Sequence, residues 1–151
     1  MLIGVPTEIK QDEHRVGLTP TSVRELTVHG HQVLVQSKAG AGIGVRDTDY
    51  ERAGATIVPS ARDVFAKAEM VVKVKEPQPP EIALLREGQV LFTYLHLAPD
   101  PKQTEGLVKS GAIGIAYETV TGPHNSLPLL SPMSEVAGRM AVQAGAHCLE
   151  R

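Results

Sequence analysis

Short apolar runs alternate with helix-like segments along this chain, joined by short connections. The runs fall at residues 2–5, 31–36, 55–58, 70–75, 90–95 and 112–117. Each is too short to be a helix of ordinary length and is bounded by glycine, proline or polar residues, so each reads as a strand. Because helical segments lie between them, the strands run parallel and the helices cover the sheet. The strands are apolar almost throughout rather than alternately polar, which is the pattern of burial on both faces.

The helix signals are local and chemical. Thr19-Pro20 offers an N-cap followed by proline at the first helical position, with Gly30 as the stop. Asp47 is expected to cap a short helix through Ala53 that Gly54 ends, and Ser60 to cap the next. A helix is expected over 81–86, stopped by Gly88, and another from Asp100-Pro101 to about Ser110, closed by Gly111. Residues 7–16 are polar and charged and read as a long loop. Ser134 is expected to cap the last helix, on which Met133, Val136, Ala137, Met140, Ala141 and Ala144 form one apolar face.

Composition narrows the function classes. A length of 151 residues suits one domain with a real core. A net charge of −2 without a basic run gives no electrostatic footprint for nucleic acid or an anionic membrane. No apolar stretch approaches the ~20 residues of a membrane helix, and the first residues lack a signal peptide's basic and apolar regions. The lone Cys148 leaves no internal disulfide and fits a reducing compartment. A soluble cytoplasmic chain is expected. Histidine and acidic residues show no zinc or iron spacing, so no metal site is expected.

Two strands carry the chemistry. Residues 72–77 and 92–97 each end an apolar run in an ionisable side chain, Lys75 and His96. In a parallel sheet both emerge at the carboxyl edge, where ligands bind in open α/β folds. Lys73 and Lys75 share one side of their strand. They are either strand-end lysines that snorkel to water or cations for an anionic ligand, and Lys75 is the better placed for the second role. Glu76 either pairs with Lys75 or faces solvent. His96 has the chemistry of a proton shuttle. Arg15, in the loop after the first strand, has the planar fork that grips carboxylates, but taken alone reads as a solvated loop residue. The glycines at 40, 42 and 44 imitate a dinucleotide loop, but Val45 breaks the required spacing, so they read as turn formers. Ser134 reads first as a cap, although a helix N-terminus also suits a phosphate group.

Taken in order, several segments resemble the N-terminal part of the alanine dehydrogenases, in the superfamily that also contains the transhydrogenase α-subunit. They are Ile3-Gly4-Val5-Pro6-Thr7-Glu8-Ile9-Lys10, Arg15-Val16-Gly17-Leu18-Thr19-Pro20, Val71-Val72-Lys73-Val74-Lys75-Glu76-Pro77 and Leu91-Phe92-Thr93-Tyr94-Leu95-His96-Leu97. Gly114-Ile115-Ala116-Tyr117-Glu118-Thr119-Val120 and the run from Pro128 to Met140 extend the resemblance over essentially the whole chain. The histidine of Leu95-His96-Leu97 favours the dehydrogenase branch, since the transhydrogenase branch typically lacks it.

The resemblance implies a Rossmann-like or flavodoxin-like parallel sheet with helices on both faces, the substrate domain of a two-domain dehydrogenase. It implies NAD-dependent interconversion of L-alanine with pyruvate and ammonium. Arg15 and Lys75 then hold the substrate, Lys75 and His96 are catalytic with His96 as general acid/base, and Ser134 contacts the nucleotide. It further implies a homohexameric parent more than twice this length. Residues 1–132 are expected to be the substrate domain, and 133–151 the start of a helix leading to an NAD-binding domain absent from this chain. The chain is then a fragment, inactive alone. The alternatives are a transhydrogenase-like domain, or a truncation product that binds pyruvate or a protein partner without catalysis.

Overall fold

The first strand is the centre of the fold. In a computed structural model, which describes residues 1–150, β1 (Leu2–Val5) pairs in parallel with β2 (Gln32–Gln36) on one side and β4 (Met70–Val72) on the other. β3 (Thr56–Val58) joins β2, β5 (Val90–Thr93) joins β4, and β6 (Ile113–Ala116) joins β5. The result is a six-stranded, all-parallel sheet in the order β3-β2-β1-β4-β5-β6, the Rossmann order.

The crossovers are α1 (Pro20–Val28), α2 (Asp47–Arg52), α3 (Ala61–Lys67), α4 (Pro79–Ile82) and α5 (Pro101–Ser110). Alternation along β2 shows that both faces are covered. Val33 and Val35 pack with Val5, Val23 of α1 and Tyr50 of α2. Leu34 between them points the other way and packs with Val64 of α3. A third cluster, with Phe65, Val71, Leu91 and Leu95 at its heart, fills the β4–β5 side. Gly4 is what lets α3 lie so close to β1: a Cβ there would come within 2.6 Å of Val64 and 2.7 Å of Ala68.

Several caps form as the sequence expects. Thr19 accepts from the Ser22 N–H, Ser60 from Asp63 and Asp100 from Gln103, while Gly54 and Gly111 take the positive φ of helix stops. Other expectations are corrected. Asp47 is inside α2 rather than capping it, because its carboxylate is taken by the Ser37 hydroxyl at 2.7 Å and the Lys38 N–H at 2.7 Å. The helix expected over 81–86 begins earlier, at Pro79, since proline at the first turn needs no N–H partner. The strand expected over 70–75 ends at Val72, and the one expected over 90–95 ends at Thr93.

The chain divides into two compact units, Met1–Ala116 and Tyr117–Arg151. The first is the sheet with its helices. The second holds short 3-10 turns at Tyr117–Thr119 and Pro123–Asn125, followed by α6 (Ser131–Leu149). Ser134 does not cap α6. The helix starts three residues earlier, the Ser131 hydroxyl donates to the Leu127 carbonyl at 2.9 Å, and Ser134 donates back to the Leu130 carbonyl at 3.4 Å. Pro132 falls in the first turn, where its missing N–H costs nothing. Among the described residues no helix is long and apolar enough to cross a membrane.

Candidate functional site

The sheet order creates a crevice. From β1 the chain crosses to β2 on one side, and from β4 it crosses to β5 on the other, so the loops leaving their carboxyl ends diverge. This is the topological switch point at which open α/β sheets bind ligands. The loop after β1 carries Glu8, Lys10, Glu13 and Arg15. The segment after β4 carries Lys73, Lys75 and Glu76, and the segment after β5 carries Tyr94 and His96.

Beneath the crevice lies an ionic group that the sequence did not announce. Lys73 is 1% exposed. Its ammonium donates to Glu81 at 2.6 Å and to Glu8 at 3.2 Å. Both carboxylates also hold backbone: Glu8 accepts from the Val74 N–H at 2.7 Å and the Lys75 N–H at 3.4 Å, and Glu81 from the Gln78 N–H at 2.8 Å. Of the two readings open for Lys73, snorkelling to water does not hold. The strand stops at Val72, and the backbone N–H groups that leave the ladder are met by a carboxylate, which in turn demands a buried counter-charge. Burial pushes the Glu81 carboxyl up, and the Lys73 ammonium offsets this only in part. The one available signal was Glu8 and Glu81 flanking a lysine in an apolar run, and pairing residues that far apart needs the fold.

Above this floor, Arg15 is not a freely solvated loop residue. Its guanidinium meets Glu13 through two hydrogen bonds, Nε to Oε1 at 2.8 Å and Nη2 to Oε2 at 2.6 Å. The side-by-side geometry is the fork pairing by which arginine recognises carboxylates. The hydrogen bond from Arg15 outweighs partial burial and holds the Glu13 carboxyl at about 2; the charge of Lys75 adds to this. A cavity of about 190 Å³ opens here, lined by Thr7, Glu8, Glu13, Arg15 and Lys38 among others.

His96 lies in the segment beyond the end of β5 with φ of +46°, in the left-handed region that a side chain adopts at a cost. Its ring stacks on Tyr94 with centroids 5.7 Å apart and planes at 14°. Nδ1 lies 3.2 Å from Glu76. Glu76 also pairs with Lys10. Neither option for Glu76 holds: its carboxylate pairs with Lys10 and His96 rather than with Lys75, and its side chain is only 13% exposed. Burial alone would raise the Glu76 carboxyl, but its hydrogen bonds, chiefly from Lys10, bring it below the ordinary range.

The glycine loop does not form a phosphate cradle. Gly40 precedes a 3-10 turn over Ala41–Ile43, and a Cβ on Gly42 would fall 2.3 Å from the His14 carbonyl. The backbone of the 7–16 loop occupies the space where a pyrophosphate would have to approach. The described residues therefore do not fit a complete dinucleotide site. Ser134 is exposed in the first turn of α6.

Comparison with known proteins places this geometry. Residues 4–137 match the family described as "Alanine dehydrogenase/PNT, N-terminal domain". Alanine dehydrogenase from Halomonas elongata is 57% identical over all 151 residues, and that from Methanococcus maripaludis 53%. The chain spans 41% and 40% of the lengths of these relatives. A solved L-alanine dehydrogenase superimposes over the whole chain with a TM-score of 0.94 at 57% identity, the chain covering 42% of it. A transhydrogenase from Sinorhizobium meliloti matches 78% of the chain at 28% identity, with a TM-score of 0.73 and 34% of that protein covered.

Proposed function

Because the chain belongs to the alanine dehydrogenase/PNT N-terminal domain family, we propose that it is the substrate-binding part of an NAD-dependent alanine dehydrogenase, which interconverts L-alanine with pyruvate and ammonium. Residues 1–132 form the substrate domain, and 133–151 begin the helix that leads to an NAD-binding domain. The parent is a soluble, cytoplasmic homohexamer. A transhydrogenase role is the weaker reading, since the likeness on that side is more distant and His96 has work to do only in the dehydrogenase.

The observation that carries this reading is the carboxylate fork of Arg15, seen in its two parallel hydrogen bonds to Glu13. A 2-oxo acid offers an equivalent carboxylate. Arg15 grips it through parallel hydrogen bonds, and Lys75 lies against the neighbouring carbonyl oxygen. As ammonia adds to the carbonyl carbon, negative charge grows on that oxygen and the lysine ammonium stabilises it. His96 delivers the proton that lets this oxygen leave as water and takes it back in the reverse direction. Hydride transfer is the chemistry that NAD supplies when bound. Ser134 contributes one contact to the nucleotide, whose remaining binding lies outside the described residues.

Calorimetric titration with pyruvate tests the reading. Binding should weaken at least about tenfold in Arg15→Ala and in Lys75→Ala, as loss of a charged hydrogen bond requires, while His96→Ala changes it less. Equal binding by all three variants and the parent chain would sink the assignment. The chain by itself should show no turnover of pyruvate, ammonium and NADH.

A further inference from the structure

We propose that Glu76 is a positioning residue that decides which ring nitrogen of His96 carries the proton, holding Nδ1–H towards itself and leaving Nε2 as the basic atom. The inference rests on the reading of His96 as the proton carrier and goes beyond it, because it assigns the reacting atom and the group that selects it.

The geometry points there from three directions. Glu76 Oε2 lies 3.2 Å from Nδ1. Lys10, in the loop after β1, pairs with the other oxygen of the same carboxylate and so keeps it ionised. An ionised carboxylate has no proton to give and can only accept. Nδ1 must therefore be the donor, and in a neutral imidazole the lone pair is then on Nε2. Tyr94 stacks on the ring and fixes its plane, while the left-handed backbone of His96 fixes where the ring starts. A half-turn of the ring would put Cδ2 where Nδ1 stands and give up the hydrogen bond to Glu76, so that bond keeps Nδ1 on the carboxylate while Tyr94 keeps the ring in one plane.

The arrangement also explains why three loops converge. Lys10 follows β1, Glu76 follows β4 and His96 follows β5, so the charge that selects the tautomer spans the switch point. If Glu76 served only to tie loops together, either tautomer of His96 would satisfy it through water or rotation.

Long-range proton–nitrogen NMR on the chain labelled with ¹⁵N-histidine reads the tautomer directly, since protonated and bare ring nitrogens resonate far apart. Recorded above the titration range of the imidazole, His96 should show a protonated Nδ1 and a bare Nε2. In Glu76→Ala the Nδ1–H population should fall and Nε2–H become the majority, with the signals of the other histidines unmoved as a check on folding. Lys10→Met should move the population in the same direction by a smaller amount. An Nε2–H majority in the unsubstituted chain overturns the proposal whether or not any variant folds, and so does an unchanged tautomer in a folded Glu76→Ala. Pyruvate calorimetry is independent of this readout: failure to bind pyruvate would remove the proton-carrier role and leave the tautomer assignment standing.

Discussion

At the scale of single residues, charge placement decides behaviour. Glu13 has its carboxyl held at about 2, against an ordinary 4.5, chiefly by the Arg15 hydrogen bond. A carboxyl depressed on folding stabilises the native state above its unfolded pKa, and that contribution disappears as pH falls towards the folded value. Denaturation followed across pH 4.5 to 2 should therefore show a loss of stability that is shallower in Glu13→Gln, and identical acid limbs in the two proteins would refute the pairing. The residue scale also shows what a sequence displays and what it conceals. Lys75 and His96 stood out as candidates because each follows an apolar run at a predictable edge, whereas Arg15, in a polar loop, stood out only through the resemblance. Glu13 and Glu76 were not, because a carboxylate in a polar loop looks the same whether it is solvated or holds a functional cation.

At the scale of elements, the ends of β4 and β1 are held by ions and by a missing side chain. The Lys73 ammonium bridges Glu8 and Glu81 in a place closed to water. Lys73→Met would leave two carboxylates buried without their cation, and should cost about 3–5 kcal/mol in urea denaturation. A change below about 1 kcal/mol would mean the group behaves like an exposed ion pair. Gly4→Ala tests the other device. The new methyl meets Val64 and Ala68 of α3 at distances that force a shift, and such overpacking should cost about 1–3 kcal/mol. Tolerance without loss would mean that α3 is free to move off β1. Strand and helix identities were readable from pattern and caps. The strand ends were not, because a strand stops where its partners stop hydrogen bonding, and that is a property of its neighbours.

At the scale of the whole molecule, α6 exposes Val136, Met140, Val142 and Leu149. Val136 and Met140, four residues apart, lie on one side of the helix, and exposed apolar side chains on one helix face favour association. Sedimentation over a wide concentration range should show self-association, reduced in Val136→Glu/Met140→Glu, and a single monomeric species throughout would contradict it. The sequence by itself determined the class of fold, because alternating short apolar runs and capped helices admit few arrangements other than a covered parallel sheet. It also determined, through its matching segments, the family. Only the tertiary structure decided the strand order, and with it the switch point where the loops after β1, β4 and β5 meet. It alone paired Lys73 with Glu8 and Glu81, Arg15 with Glu13, and His96 with Glu76. The physical reason is range: hydrophobic periodicity and capping act over a few residues and are written locally, whereas a charge finds its partner through space, across tens of residues that must fold first.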